Sequence, residues 1–252
     1  MSALFLWIGG YPDRACSRAA EAIALARKLN HPYSLTYAQF HSGLLNMWLR
    51  NYEIALDNAE AVLELAETYD FHIWSAVGSC LRGAALVNIG RIEEGLALTD
   101  QGLKAYRGLK TPPVFWPLLL HLCAGAYGSA SQPKDGLPML DEAMAAEKFS
   151  TRSSESLAPH FLSLKGDFLL ALSSDNVVAA ESLYQDAVNG AREVGAAMVE
   201  LQVAMRLSRL WQNQGKSEQA RELLNAAYSK ITEGFTTADM KEANALLASL
   251  SS

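Results

Sequence analysis

Small and apolar residues recur along the chain with the period of an α-helix. Ala55, Ala59, Val62 and Ala66 have the spacing i, i+4, i+7, i+11, and the same spacing recurs at Ala15, Ala19, Ala22 and Ala26 and at Ala180, Tyr184, Ala187 and Ala191. This spacing is typical of helices that pack closely along one face. Alternation of polar and β-branched residues, which predicts strands, does not extend beyond a few positions. The pattern therefore predicts an all-α fold.

A short polar turn precedes each of these helices and repeats at a nearly constant interval. The turn and the first residues after it read GYPDRA (10–15), RNYEIA (50–55), GRIEEG (90–95), SQPKDG (131–136), SSDNVVAA (173–180) and GKSEQA (215–220). The closing small residues are 40, 40, 41, 44 and 40 positions apart. A fixed period of this length is the signature of a helical-repeat architecture. We therefore predict a helix-turn-helix unit of about 40 residues.

Each unit also carries a small residue in the middle of its first helix. Twelve positions before the closing small residue stand Gly43, Gly83, Ala124 and Ser208, and Gly166 stands fourteen positions before Ala180 because that turn is longer. Glycine in a helix interior costs about 1 kcal/mol relative to alanine. Its recurrence predicts a neighbouring helix that comes too close for a side chain.

The period divides a single predicted domain, residues 1–252, into units. The boundaries are approximately 1–30 (partial), 31–70, 71–110, 111–152, 153–195 and 196–234, and a helix over 237–250 is predicted to cap the C-terminal end, as helical repeats require. Leu4–Ile8 resembles the last turns of a first helix without its beginning. This predicts that Phe5 and Trp7 are exposed and that the chain can self-associate through this end. It also predicts that the chain is the C-terminal part of a longer protein or the product of a truncated gene. A small N-terminal cap formed by residues 1–9 is the alternative.

The unit resembles the tetratricopeptide repeat. Unit 196–234 contains LSRLWQNQGKSEQARELLNAAY (207–228), in which Leu207, Gly215, Ala220, Leu224 and Ala227 match the motif, although the period exceeds the usual 34 residues. The resemblance implies a right-handed tetratricopeptide-like α-solenoid of about five to six helix-turn-helix units with a C-terminal capping helix. It also implies that the first helices line a concave groove that holds a peptide or ligand.

A second resemblance covers most of the chain. The segments LWIGGYPDRA (6–15), LRGAALVNIGRIEEGLA (81–97), LKGDFLLALSSDN (164–176) and GFTTADMKEANALLASL (234–250) resemble the C-terminal repeat region of large bacterial regulators. Those proteins join a class III nucleotide cyclase or a DNA-binding domain to a signal-transduction ATPase and then to helical repeats, and the maltose-regulon activator is a more distant relative. The resemblance implies a sensory or scaffolding arm, with such domains attached to it in a longer parent as one expectation. The ATPase itself is absent, since no GxxxxGK[ST] loop occurs.

The charge and composition of the chain limit the classes of partner that it can bind. The net charge of -6 and the pI of about 5.4 argue against a nucleic-acid or anionic-membrane surface, which requires clustered Lys and Arg. No apolar run is long enough to span a bilayer. Cys16, Cys80 and Cys123 are widely spaced within apolar stretches, which predicts reduced, buried thiols in a cytoplasmic protein.

The sequence offers no constellation for catalysis. None of the five histidines has a second His, a Cys or a carboxylate at zinc-ligand spacing, and no activated nucleophile stands out. We therefore expect a protein that is not an enzyme, with no catalytic residues, no metal and no cofactor.

Helical spacing from the mid-helix small residues selects the positions that would face the groove. The candidates pass from aromatic to polar and charged along the chain, and they are Tyr37, Trp48, Trp74, His121, His160, Asp167, Gln202, Arg206 and Arg209. Packing between units is the competing interpretation for each. The sequence thus favours a protein-interaction or sensory repeat module of a bacterial signalling or transcriptional regulator. Two alternatives remain: a small-molecule sensor that binds a ligand in the groove, or the regulatory arm of a nucleotide cyclase or ATPase.

Overall fold

A computed structural model describes residues 3–109, 114–147 and 157–250. These ranges contain thirteen α-helices, one 3-10 turn (Ser174–Asn176) and no strand. The helices are α1 (Ala3–Ile8), α2 (Pro12–Lys28), α3 (Pro32–Trp48), α4 (Tyr52–Thr68), α5 (His72–Asn88), α6 (Ile92–Gly108), α7 (Trp116–Ser129), α8 (Pro133–Glu147), α9 (Ala158–Leu172), α10 (Val177–Glu193), α11 (Ala197–Asn213), α12 (Ser217–Tyr228) and α13 (Ala238–Leu250). The predicted all-α class is confirmed, and among the described helices none has the length and hydropathy needed to cross a membrane.

Helix ends recur with a period of 20 residues, half of the predicted repeat. A residue with left-handed backbone follows each of the first five helices, and these residues are Gly10, Asn30, Arg50, Asp70 and Gly90. The next backbone N–H then reaches back five residues, as from Arg91 to the Leu86 carbonyl at 2.9 Å. This is the Schellman arrangement, which satisfies the carbonyl groups at a helix end. Short polar residues and glycine tolerate the left-handed region best, which explains the polar turns in the sequence.

The stripes of small residues are the contact faces of these helices. Ala55, Ala59, Val62 and Ala66 of α4 are buried, as are the corresponding residues of α10 and α12, whereas Ala22 of α2 is exposed. At Gly83 in α5, an added Cβ would lie 2.5 Å from the Gly95 carbonyl oxygen of α6. At Gly43, it would lie 2.5 Å from a methyl group of Leu81. The predicted close approach at these glycines is confirmed.

The chain groups into two compact units. Among the described residues, the N-terminal unit takes 3–4 and 15–147, and the C-terminal unit takes 5–14 and 157–250. The assignment of all 252 residues to one domain stays a prediction. The predicted unit boundaries at 110/111 and 152/153 lie outside the described residues. The predicted capping helix over 237–250 corresponds to α13, which packs against α11 and α12.

Two sequence predictions about burial are wrong. Trp7 is fully buried, because residues 5–14 pack within the C-terminal unit, whereas Phe5 on the same short helix is 52% exposed. Trp7 is therefore not available as an exposed ring for the predicted self-association. Cys16 is exposed on α2, while Cys80 and Cys123 are buried and unpaired by disulfides. Burial and the contact with Cys80 raise the pKa of the Cys123 thiol, so it stays protonated and poorly reactive.

Candidate functional site

A polar face extends over three neighbouring helices of the C-terminal unit. Gln202, Arg206 and Arg209 lie on one side of α11, because their spacing of four and three residues matches the helical period, and all three are partly exposed. Helix α9 lies beside α11 on one flank and α13 on the other. We call this surface the α9–α11–α13 face, and its residues are Asp167, Gln202, Arg206, Arg209, Asp239 and Glu242.

Hydrogen bonds link the three helices across this face. The Arg206 Nε donates to both carboxylate oxygens of Asp167 on α9, at 3.1 and 2.8 Å. Toward α13, the Gln202 amide donates to Asp239 at 2.7 Å. The Arg206 Nη1 also donates to the Gln202 carbonyl oxygen at 3.1 Å, so the two connections share one turn of α11. The guanidinium of Arg206 is therefore held in a fixed orientation between its neighbours.

A second connection lies one turn further along α11. Arg209 forms a hydrogen-bonded ion pair with Glu242 of α13. The side chains of Arg206 and Arg209 are 34% and 43% exposed, so each remains accessible to solvent. An arginine has five N–H donors in a planar fork, and the bonds of Arg206 within the described ranges use Nε and Nη1. The face can therefore still donate hydrogen bonds to carboxylate or backbone carbonyl groups.

Tyr184 of helix α10 holds Asp167 of this face in place. Tyr184 donates from its hydroxyl to Asp167 at 2.7 Å, and Gly166 leaves room for the ring, since an added Cβ would lie 2.6 Å from the Tyr184 Cε1. Burial and the Asp167 carboxylate raise the pKa of Tyr184, so this hydroxyl stays a neutral donor. The mid-helix glycine thus serves to position Asp167 as well as to bring two helices together.

His160 occupies the same side of α9 as Asp167, two helical turns earlier. It is 7% exposed, and the indole ring of Trp7 lies nearly parallel to it, with ring centroids 6.2 Å apart. One of the predicted groove residues is therefore covered by a segment of the chain itself. Local sequence patterns do not predict this contact, since 153 positions separate the two residues.

The aromatic candidates belong to a cluster in the N-terminal unit. Trp74 of α5 is 1% exposed and packs edge-on against Tyr37 of α3 at 5.9 Å between ring centroids. Phe40 and Phe115 each contact the same indole at 5.7 Å. Trp74 is therefore a core residue that offers a ligand almost no surface, whereas Tyr37 is 48% exposed.

The other two candidates lie in the same unit and are half-buried. Trp48 is the last residue of α3, and His121 lies in α7. The structure brings together Asp167, Gln202, Arg206 and Arg209 through the face described above, and Tyr37 with Trp74 through the aromatic cluster. Whether any of these positions binds a ligand stays a prediction.

On the α9–α11–α13 face, sequence reasoning missed the three residues that hold Asp167, Gln202 and Arg209. Asp239 and Glu242 were assigned to a capping helix, and Tyr184 to a packing stripe. The repeat register contained a signal for the first two, because Asp239 follows Gln202 by 37 positions, close to one period. Helix α13 therefore occupies the place of the first helix of a further unit.

Solved structures share this arrangement of helices. The apo form of RapI is 14% identical over 92% of this chain and 82% of its own, with a TM-score of 0.64. NprR in complex with its cognate peptide NprX is 15% identical over 98% of this chain and 68% of its own, with a TM-score of 0.65. The apo form of the quorum sensor NprR from B. thuringiensis is 16% identical over 94% of this chain and 64% of its own, with a TM-score of 0.61.

The chain has a tetratricopeptide-like helical-repeat fold. At these identities the similarity establishes the fold alone. No protein-family model matches the chain, and comparison with curated protein sequences gave no significant match.

Proposed function

We propose that this chain is a non-enzymatic, cytoplasmic protein-interaction module that binds a peptide or an extended segment of a partner protein on the α9–α11–α13 face. The observation that carries the proposal is the connected row of charged and amide side chains across three helices. Fixed, partly exposed donors and acceptors suit an extended peptide, whose backbone offers both kinds of group at every residue.

The remaining N–H donors of Arg206 and Arg209 favour a partner with at least one carboxylate, which they would bind beside the carboxylates that the face already carries. Arg206 and Arg209 lie one turn apart, and their fixed guanidinium groups match the planar geometry of a carboxylate. Asp167, Asp239 and Glu242 hold the two arginines and the glutamine in place, so little side-chain entropy is lost on binding. NprR, one of the structures with this fold, is described with a cognate peptide, which supports a peptide as the ligand class.

Binding of a peptide library tests this proposal. We expect the purified chain to retain acidic peptides from a random nonapeptide library, and the double variant Arg206→Ala, Arg209→Ala to bind them at least about 30-fold more weakly, since buried or fixed arginines dominate interface energetics. Arg221→Ala is the matched control, because Arg221 lies on α12, outside this face, and pairs with Glu218 of the same helix at 2.6 Å. Equal loss in the control, or retention of no peptide, would contradict the proposal.

The role in a bacterial signalling or transcriptional regulator is part of the same proposal. It rests on the sequence resemblance to the repeat arms of such regulators. The chain spans 64 to 82% of the similar structures, so their whole activities do not transfer to it. An attached nucleotide cyclase or ATPase stays a prediction, as does the small-molecule sensor. Two pockets, of about 400 and 450 Å³, lie around α12 and include none of the predicted groove residues.

A further inference from the structure

The first residues of the C-terminal unit cover one end of the proposed binding face. Trp7 is fully buried, and its ring lies against His160, which shares a side of α9 with Asp167. Ile8 is buried beside it, whereas Phe5 is 52% exposed. The Trp7 ring thus occupies the space beside the His160 imidazole. A ligand on this end of the face would have to displace it to contact His160.

A pair of glycines separates this contact from the rest of the segment. Gly10 has a φ of +94°, and an added Cβ would lie 2.9 Å from Ile231 and 3.2 Å from Ala197. Few other residues adopt this backbone conformation, and Gly9 precedes it without a side chain of its own. The chain therefore ends α1 and changes direction here, at a residue that adopts the left-handed region without strain.

Beyond the glycine pair the chain is fixed by polar contacts. The Gly234 N–H donates to the Asp13 carboxylate at 2.9 Å. The backbone N–H and the Nε of Arg14 donate to the two carboxylate oxygens of Glu233, each at 3.0 Å. Residues 12–14 are therefore anchored independently of Trp7. Helix α1 has only six residues, too few to be stable without tertiary contacts, so its position depends on the buried face that includes Trp7.

We propose that residues 5–8 form a lid on the α9–α11–α13 face, and that a peptide partner displaces this lid by placing an aromatic side chain of its own against His160. This inference rests on the proposed function and specifies the partner further: an aromatic anchor for the His160 end, and a carboxylate for Arg206 and Arg209. The lid lowers the apparent affinity of the face, because only the molecules with an open lid can bind the peptide. The apparent dissociation constant is the intrinsic one divided by the open fraction.

A peptide of residues 3–11 (ALFLWIGGY), with two added lysines and a fluorophore at its C-terminus, is the probe. It competes with the lid of the full chain, and its binding is measured by fluorescence anisotropy. We expect Trp7→Ala to bind the probe at least about tenfold more tightly than the unsubstituted chain, because its lid is open more often. Phe5→Ala, on the exposed side of the same helix, is the control and should bind like the unsubstituted chain. Equal affinities for all three chains, or failure of a folded Trp7→Ala chain to bind the probe, would overturn the proposal.

Amide hydrogen exchange on the unsubstituted chain tests the lid without any substitution. We expect the amides of residues 9–11, which donate to carbonyl oxygens of α1, to exchange by local opening, at least about 100-fold faster than those of residues 162–170 in α9. If both sets exchange at the same rate and respond equally to denaturant, α1 opens only with the whole unit and the lid is ruled out.

The two proposals fail in different ways. A library peptide that depends on Arg206 and Arg209, yet binds Trp7→Ala and the unsubstituted chain equally, refutes the lid and leaves the proposed function standing. If the library yields no ligand for either chain while the probe still prefers Trp7→Ala, the proposed function fails, and the partner chemistry assigned to the lid fails with it.

Discussion

At Gly83, the backbones of α5 and α6 come into direct contact. An added Cβ would lie 2.5 Å from the Gly95 carbonyl oxygen and 2.7 Å from the Thr99 nitrogen, and neither backbone group can rotate away. Gly125 in α7 differs, since a Cβ there meets no atom within 4 Å. The same residue type is thus required by packing in one helix and not in the other.

Alanine substitutions at these two glycines should have opposite effects. We expect Gly83→Ala to lower the free energy of unfolding by about 2–3 kcal/mol, because the two helices must move apart. Gly125→Ala should raise it by about 0.5–1 kcal/mol through the better helix propensity of alanine. Urea titration followed by circular dichroism measures both. A Gly83→Ala chain as stable as the unsubstituted one would show that the close approach does not stabilise the fold.

His41 makes the stability of the aromatic cluster depend on pH. Its Nδ1 donates to the Tyr37 carbonyl oxygen at 2.9 Å, and its ring stacks on the Tyr37 ring. Burial lowers the pKa of His41 below the ordinary 6.5, and the hydrogen bond to Tyr37 offsets this only in part. Between 6.5 and the lower folded pKa, the unfolded chain binds more protons than the folded chain, so His41 makes stability fall as pH falls through this range.

Urea titrations at pH 7.5 and pH 5.0 measure this contribution. We expect His41→Gln to lose less stability between the two pH values than the unsubstituted chain, because glutamine does not titrate. His72→Gln is the control, since His72 is exposed beside Asp70. Identical pH dependence in the unsubstituted and His41→Gln chains would show that His41 is not responsible.

At the scale of the helices, two ion pairs connect α11 to its neighbours, one to α9 and one to α13. They differ in that the Tyr184 hydroxyl also holds the carboxylate of the α9 pair. Asp167 accepts from Arg206 and also from Tyr184, so its carboxylate is fixed from two helices. Glu242 and Arg209 are 33% and 43% exposed, against 32% and 34% for Asp167 and Arg206, so the two pairs differ less in exposure than in the hydrogen bond from Tyr184. Exposed pairs contribute little, because solvent and salt screen them.

Double-mutant cycles should therefore rank the two pairs. We expect a coupling free energy of about 1–2 kcal/mol for Arg206→Ala with Asp167→Ala, since hydrogen bonds to charged groups are the stronger kind. For Arg209→Ala with Glu242→Ala, we expect about 0.5 kcal/mol, reduced further in 0.5 M NaCl. A larger coupling for the Arg209 pair would show that the fixed position of Asp167 adds nothing.

At the scale of the whole molecule, most of the fold follows from the repeat. The 40-residue period, the polar turns and the small-residue stripes predict the helices and their ends, because helix periodicity and left-handed turns are local properties of the sequence. The row Gln202, Arg206 and Arg209 is also predictable, since side chains three and four residues apart share a helix face. Binding of a partner protein or peptide to this row stays a prediction, as does self-association of the chain.

The sequence by itself determined the helices, the spacing of the repeat and the candidate residues on each helix, since all of these depend on neighbours within a few turns. Only the tertiary structure decided that Trp7 is buried on His160, that Trp74 is a core residue, and that Asp239 and Glu242 complete the polar face. These outcomes join residues up to 153 positions apart. Hydrophobic burial has no preferred direction or sequence separation, so local patterns cannot show which apolar ring is covered or by what.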